Sequence, residues 1–407
     1  MIKQIRTEQL KPGMYIHDLN CGWLDHSFVS NAFAVRDQAT VNKIVELGIR
    51  ELYIDTLKGA DVWEARPQSD VNAELEKRLQ EIAQKRAEKP VVVELKDEAA
   101  RARRLHTEAN KMARLVLDDI RLGQKIQIDR VEPLVDNMVD SVFRHQDALL
   151  PMARLKNIDD YTFEHSVGVA ALLIAFGRTL KLPKEAIREI ALGGLLHDIG
   201  KAHVPESILN KPGKLTDDEF AKMQSHVNAS LSLLQGVPGI SEVTRQVVAE
   251  HHERIDGSGY PNRLAGKAIS LHGQMAAIVD VYDAITADRC YHKGMPAAEA
   301  LRKMWEWSSA HFDQKLLQAF MRCVGIYPVG SLVRLESGRL GVVTEQNESS
   351  LLTPRVRTFF STRSNGYIKP EVVDLGRKLG SGGGDRIVSA ETPDKWGVDP
   401  ARFLIAE

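Results

Sequence analysis

The sequence predicts a mainly α fold, with a small α+β module at its N-terminus and a small β appendage at its C-terminus. Three observations lead there. Residues 152 to about 327 read as helix after helix, the first 65 residues alternate short β-rich runs with turn signals, and beyond Pro328 the pattern returns to short β runs. A chain of 407 residues suits two or three domains. With 43% hydrophobic and 27% charged residues it has enough apolar surface for real cores, which excludes a wholly disordered chain, a collagen-like fibre and a disulfide-stapled miniprotein.

In the N-terminal module, Lys11-Pro12-Gly13 turns into Met14-Tyr15-Ile16, and a short helical stretch from Asp37 leads to the strand-like Glu51-Leu52-Tyr53-Ile54-Asp55. Residues 66–90 are polar and charge-rich, a solvated helix or a linker. Leu105, Met112, Leu115 and Val116 carry helical spacing within a helix from Leu95 to Leu122; Gly123 ends it, and a second helix runs from Asp129 to Leu150. Helices follow over 161–181, 184–198, 216–235, 239–252, 270–288 and 297–307, with Thr216-Asp217-Asp218-Glu219 as a capping box. Short β runs cover 331–335, 341–344 and 356–360, and Gly380-Ser381-Gly382-Gly383-Gly384 reads as a mobile loop. The expected division is a regulatory module (1–65), a charged linker and helical connector (66–150), a helical catalytic domain (151–327) and a β-rich extension (328–407).

Lys+Arg (54) and Asp+Glu (55) nearly cancel, so the whole molecule carries no field to attract DNA or anionic lipid, and an anionic substrate needs a local cluster of bases. Cys21, Cys290 and Cys323 are odd in number and form no C-x-x-C pair, as expected of reduced thiols. No apolar stretch follows the first lysine and arginine, and the longest one, Val167 to Gly177, is too short to cross a bilayer. A cytoplasmic protein without membrane insertion is expected.

Seven side chains of types that can ligate metal fall in the helical domain: His165, His197, Asp198, His226, His251, His252 and Asp280. Singly, each has an ordinary explanation as a satisfied or surface residue. Together they do not. His197-Asp198 ends the apolar run Ile190–Leu196, His251-His252 follows Val247-Val248-Ala249, and Asp280 is embedded in Ala276-Ala277-Ile278-Val279-Asp280-Val281. Charges in such segments need partners, and a divalent metal suffices. Imidazoles with carboxylates and no thiolate suit Fe, Mn, Zn, Ni or Co. The donors exceed one ion's needs, so two metals sharing Asp198 is the economical count. Such a pair activates water and holds the oxygens of a phosphate. Lys201, three residues beyond Asp198, can reach the same phosphate as a point charge, or else serves as a solvated lysine at a helix end.

A second constellation begins with the ligand pair: His251-His252-Glu253-Arg254-Ile255-Asp256-Gly257-Ser258-Gly259-Tyr260-Pro261. Asp256-Gly257-Ser258-Gly259 must turn tightly, glycine lets a ligand approach the backbone, and Tyr260 supplies a flat face suited to a nucleobase.

The string H…HDIGK…H…HHERIDGSGYP…DVYDAIT closely resembles the HD-GYP family of bacterial HD-superfamily phosphohydrolases, over roughly Met152 to Tyr327. The resemblance implies an all-helical domain that hydrolyses cyclic di-GMP to pGpG, and on to GMP in some cases. It implies His165, His197, Asp198, His226, His251, His252 and Asp280 as metal ligands, with Fe or Mn favoured. Lys201, Asp256, Gly259, Tyr260 and Arg289 match its substrate-contacting positions, and Asp198 and Lys201 carry the chemistry. Residues 1 to about 60 resemble an uncharacterised domain that often precedes HD-GYP. Diguanylate cyclases, other signalling proteins or a second copy of the chain are the implied partners. Two departures stand out. Tyr161 occupies a position where some members carry a glutamate and bind three metals, which favours two metals here. After Arg289 the chain reads Cys290-Tyr291-His292-Lys293 in place of Pro-Tyr and a basic residue, which leaves the second phosphate either held less firmly or held by Lys293. A non-enzymatic cyclic di-GMP sensor and an HD hydrolase of another phosphoester are the alternatives; intact ligands argue against the first and the Asp256–Pro261 loop against the second.

Overall fold

A computed structural model of the chain describes residues 1–21, 26, 28, 30–83, 93, 95–154, 161–211, 213–287, 294–347, 350–377 and 384–404. Its N-terminal residues form a five-stranded antiparallel sheet of β1 (Ile2–Arg6), β2 (Tyr15–Asp18), β3 (Phe33–Ala34), β4 (Glu51–Asp55) and β5 (Arg66–Pro67), in the order β3-β2-β4-β1-β5. β1 pairs with β4 from Ile2 against Asp55 to Arg6 against Glu51. Helix α1 (Gln38–Glu46) starts where the Asp37 carboxylate accepts the Thr40 N–H, and it turns Val41 and Ile44 onto Ile5, Ile16, Leu52 and Ile54.

The helical body comprises α2 (Gln68–Ala83), α3 (Leu95–Arg121), α4 (Ile128–Arg144), α5 (Gln146–Arg154), α6 (Tyr161–Thr179), α7 (Lys184–Leu196), α8 (Glu206–Leu209), α9 (Asp217–Gln224), α10 (His226–Leu234), α11 (Glu242–Glu250), α12 (Leu271–Thr286), α13 (Ala297–Trp307) and α14 (Gln314–Val324). One hydrophobic core runs through it, from Leu75 on α2 to Cys323 and Val324 on α14. The helices expected as a connector also wall this core: the apolar stripes of α3 and α4, with Ala102, Ala109, Val131, Val135 and Met138, pack on α6 and α7, because an amphipathic helix must bury its stripe. From Val167 to Phe176 α6 is apolar all round and is enclosed by its neighbours.

The helix expected over 216–235 divides at Ser225, so that His226 opens α10. The capping box forms: Thr216 Oγ1 accepts the Glu219 N–H and the Glu219 carboxylate accepts the Thr216 N–H. α14 was not expected; its polar face masked Leu317, Phe320 and Met321, all fully buried.

The C-terminal residues form a second antiparallel sheet of β6 (Leu332–Leu335), β7 (Arg339–Glu345), β8 (Arg355–Ser361), β9 (Gly366–Asp374) and β10 (Ile387–Ala390), in the order β10-β6-β7-β8-β9, with the short α15 (Pro393–Trp396) and α16 (Ala401–Leu404) beside it. It has its own core of Val333, Leu340, Val342, Val356, Phe359 and Val373. Sequence patterning missed β10 and also β9, which is mostly exposed on both faces and broken by Pro370, so that no alternation of buried and exposed residues marks it. Most of the Gly-rich segment, residues 380–383, lies outside the described residues.

The N-terminal module is docked on the helical body. Lys303 on α13 pairs with Asp18 at 2.8 Å, Trp307 Nε1 donates to Asn20 Oδ1 at 3.1 Å, and Lys43 pairs with Asp217 on α9 at 3.1 Å. Neither Cys21 nor Cys323 forms a disulfide, and Cys290 lies outside the described residues. Among the described residues no helix is long and apolar enough to cross a membrane.

Candidate metal centre

The seven side chains singled out in the sequence converge on one buried point between the helices. His165 comes from the first turns of α6, His197 closes α7, Asp198 starts the 3-10 turn Ile199–His203, His226 opens α10, His251 and His252 follow α11, and Asp280 lies on α12. Three overlapping donor sets form: His226, His251 and His252; His165, His197 and Asp280; and His197, Asp198 and His251. Within each, the ligand atoms lie within 4.8 Å of one another. All but His252 are buried.

Glycines bring the helices this close. A Cβ on Gly193 would stand 2.6 Å from Val247 on α11, and one on Gly194 would stand 2.7 Å from Leu173 on α6. A Cβ on Gly200 would fall 2.0 Å from the His226 carbonyl oxygen. The Gly200 N–H donates to Ser230 Oγ at 2.8 Å, and that hydroxyl donates to the His197 carbonyl at 2.9 Å. Ser230, fully buried, thus ties the His197-Asp198 turn to the helix that carries His226.

The hydrogen bonds fix which atom each imidazole turns inward. Nδ1 of His197 donates to the Gly194 carbonyl at 2.7 Å, Nδ1 of His226 to Met223 at 2.6 Å, and Nδ1 of His251 to Val248 at 2.8 Å. Nδ1 of His165 donates to the buried Asp283 carboxylate at 2.5 Å. Carbonyls and carboxylates only accept, so in the neutral ring each Nε2 is a lone pair. These lone pairs face oxygens and one another. His165 Nε2 lies 3.0 Å from Asp280 Oδ1, His226 Nε2 lies 3.2 Å from Asp198 Oδ1, and His226 Nε2 lies 3.4 Å from His251 Nε2. His197 Nε2 and Asp198 Oδ1 have no hydrogen-bond partner, although both are buried. Acceptors turned on acceptors in a dry site are costly, about 1–3 kcal/mol for each unsatisfied group. A cation among them reverses the sign. The donor set therefore fits divalent metal, and the orienting contacts behind the rings are those that metal-ligating histidines need.

The electrostatics agree. Burial works to raise Asp198, but the charges of His197 and Lys201 win and hold its carboxyl well below the usual range. Asp280 is likewise held down, against burial, by His165 and His197. Burial would lower His197, yet Asp198 pushes it up to about 10, so a proton competes with a metal for the His197 Nε2 lone pair and supplies the same positive charge that the carboxylates demand. Burial and the neighbouring His197 push His251 down to about 3, and burial with His251 pushes His252 well down, so both keep lone pairs available. Lys201 Nζ reaches Asp198 Oδ2 at 2.5 Å from a part-buried position at the rim.

The loop expected to meet a ligand covers one side of the cluster. Asp256 Oδ1 accepts the Ser258 N–H at 2.9 Å and its hydroxyl at 2.6 Å, and Gly257 has φ +82°. No side chain fits at Gly259, where a Cβ would stand 2.4 Å from the Arg254 nitrogen. This fold-back places the Tyr260 ring on His252 with centroids 4.5 Å apart and planes 28° apart. Arg289 and Lys293 lie outside the described residues, as does the side chain of Tyr161.

Sequence patterning missed two residues that shape the site. Asp283 orients His165; its signal is the three-residue spacing from Asp280, which sets both on one face of α12. Glu253 is buried and accepts the N–H groups of Asn262 at 2.8 Å and Leu264 at 2.9 Å, which pins the far end of the loop. Adjacency to the His pair hid that role.

A buried His/Asp centre inside a helical body is the setting of an HD domain, and the HD-domain family model matches residues 135–316. A model described as a domain of unknown function, DUF3391, matches residues 2–131. The chain is 46% identical over 397 residues to a cyclic di-GMP phosphodiesterase of Pseudomonas aeruginosa, covering 97% of this chain and 94% of that one. It is 42% identical over 163 residues to a 3'3'-cGAMP-specific phosphodiesterase of Vibrio cholerae, covering 40% of this chain and 38% of that one. A solved HDGYP protein from Bdellovibrio bacteriovorus covers 79% of this chain and 98% of its own, at 17% identity and a TM-score of 0.47. The chain belongs to the HD-GYP family of HD-domain phosphodiesterases, with the domain of unknown function at its N-terminus.

Proposed function

We propose that this chain hydrolyses cyclic di-GMP at a two-metal centre, opening the ring to linear pGpG and carrying some product on to GMP. The observation that carries the reading is the set of imidazole lone pairs and carboxylate oxygens turned on one another, with the Tyr260 ring stacked at its edge. Support for the substrate comes from the Pseudomonas relative, which matches nearly the whole chain and is named for it. The metal ligands are His165, His197, Asp198, His226, His251, His252 and Asp280. Two of the donor sets share no residue, and the third, built round Asp198, links them, which supports two ions. Fe or Mn is favoured, and Ni, Co or Zn suits the same donors.

Divalent metal supplies Lewis acidity toward phosphate oxygens and a nucleophilic water at neutral pH when bound. The chain's own residues supply the rest. Lys201 offsets negative charge on the phosphate from its place beside Asp198. Tyr260 offers its face to a guanine base, Asp256 and Gly259 shape the loop that presents it, and Arg289 and Lys293 hold the phosphates. Helices α6, α7, α11 and α12 exclude water from the back of the site.

The four-part division belongs to the same proposal: residues 1–65 regulate, 66–150 link and buttress, 151–327 catalyse, and 328–407 form a β-rich extension. The chain works in the cytoplasm, where diguanylate cyclases or other signalling proteins are its partners and a homodimer is the simplest assembly.

The test is turnover of cyclic di-GMP, 3'3'-cGAMP and pGpG by anaerobically purified protein of measured metal content, beside Asp198→Ala. Metal-dependent pGpG production that vanishes in Asp198→Ala supports the proposal. Two bound metals with no cyclic di-GMP turnover refutes it, and preference for 3'3'-cGAMP reassigns the substrate.

A further inference from the structure

The substrate loop is held from outside its own domain. Asp256, whose side chain is 5% exposed, commits Oδ1 to Ser258, while Oδ2 lies 3.8 Å from Nε of Arg50, in the turn between α1 and β4 of the N-terminal module. The other end of the same guanidinium donates to the Ser309 carbonyl at 3.5 Å. The segment after Ser309 is what the loop's backbone leans on: the Asp256 N–H donates to the Ala310 carbonyl at 3.1 Å and the Ile255 N–H to His311 at 3.3 Å. Arg50 thus bridges the loop and its support.

A second contact is independent of charge. Gly48, two residues earlier, has φ +72°, and a Cβ there would stand 2.7 Å from Ser258 Cβ. The N-terminal module therefore touches the loop through a position that tolerates no side chain. The turn that makes both contacts is stiff, since the Arg50 carbonyl accepts the Thr7 N–H at 2.8 Å and the Ile49 carbonyl accepts the Thr7 hydroxyl.

We infer that Arg50 is a positioning residue for substrate: with Gly48 it sets the conformation of the Asp256–Tyr260 loop, so the N-terminal module tunes how tightly the nucleotide is held. This rests on the reading of the loop as the nucleotide-binding element. It places the control in a contact of the folded chain, because the Arg50 side chain reaches Asp256 and the Ser309 carbonyl rather than the metal-ligating donors.

The experiment uses the full-length protein and the variants Arg50→Ala, Arg50→Lys, Gly48→Val and, as a control, Lys43→Ala, which removes a cross-module ion pair away from the loop. Metal content, kcat and KM for cyclic di-GMP are measured, together with calorimetric Kd for the same nucleotide on chelator-treated protein. Arg50→Ala raises KM and Kd by about two- to fivefold, the range a half-exposed ion pair supports, with kcat and metal content unchanged. Arg50→Lys recovers most of the loss, Gly48→Val raises KM further, and Lys43→Ala behaves as wild type. Unchanged KM and Kd in both Arg50→Ala and Gly48→Val overturn the inference, as does a parallel fall in kcat and metal content, which marks a merely structural role. Wild-type protein that binds cyclic di-GMP without turnover refutes the proposed reaction while the Kd series still decides the role of Arg50. Wild-type protein that neither binds nor turns over overturns both.

Discussion

Gly200→Ala tests whether helix packing sets the metal geometry. The added methyl would meet the His226 carbonyl oxygen at 2.0 Å and the Ser230 nitrogen at 2.5 Å, both backbone atoms that no rotamer change can move. To reach even 3.0 Å, the closest approach real Cβ atoms make, α10 must withdraw by about 1 Å. That movement breaks the 2.8 Å bond from Gly200 to Ser230 and carries His226 Nε2 away from Asp198, now 3.2 Å distant. Metal–ligand distances tolerate about 0.2 Å, so the donor set that contains His226 should lose its ion. Overpacking of this kind costs about 1–3 kcal/mol, or about 2–12 °C in Tm for a body of this size. Gly366→Ala is the matched control, because a Cβ there meets nothing closer than 3.8 Å. Elemental analysis and thermal unfolding of both variants read the two effects. Wild-type metal content in a folded Gly200→Ala protein would sink the argument that α10 is held against the His197-Asp198 turn to build the centre.

Three further outcomes are expected. Asp283→Asn keeps the size of the side chain but weakens the acceptor for His165 Nδ1, and should lower metal affinity by about 10–100-fold in chelator competition; unchanged affinity would show that His165 needs no orienting partner. Lys201→Ala should retain metal while kcat falls by about 100-fold, the loss expected for one group stabilising transition-state charge; a normal kcat leaves Lys201 as only a partner for Asp198. Glu98, on α3, is buried against the Arg144 guanidinium, at 2.8 Å to both nitrogens, and Ser141 at 2.9 Å. Burial opposes its charge, but these partners hold its pKa below the usual carboxylate value. A depressed folded pKa gives stability that is fully present above about pH 4.3 and is lost as pH falls through the folded value. Glu98→Gln should therefore cost about 1–3 kcal/mol at neutral pH, since Arg144 is partly exposed and screened. The deficit should shrink in acid, and chemical denaturation at pH 7 and pH 3 checks both parts.

Local chemistry made much of this protein legible in one dimension. The apolar period of α6, α7 and α12, the Thr216 capping box and the β runs of both ends follow from rules that act over a few residues. The donor cluster was legible too, because polar pairs such as His197-Asp198 and His251-His252 at the ends of apolar helices carry a desolvation cost that demands a partner wherever the helices go. The sequence determined, then, that these polar groups must be satisfied. Only the tertiary structure decided how. The inward turn of each Nε2, the clamp of Ser230 on the turn beside it and the reach of Asp283 to His165 depend on helices brought together across 118 residues of chain in that last case. Arg50 against Asp256 is the extreme instance. Neither residue carries a local signal of the other, because a contact between modules is set by how two separately formed surfaces dock, and nothing in the spacing of residues along the chain encodes that distance.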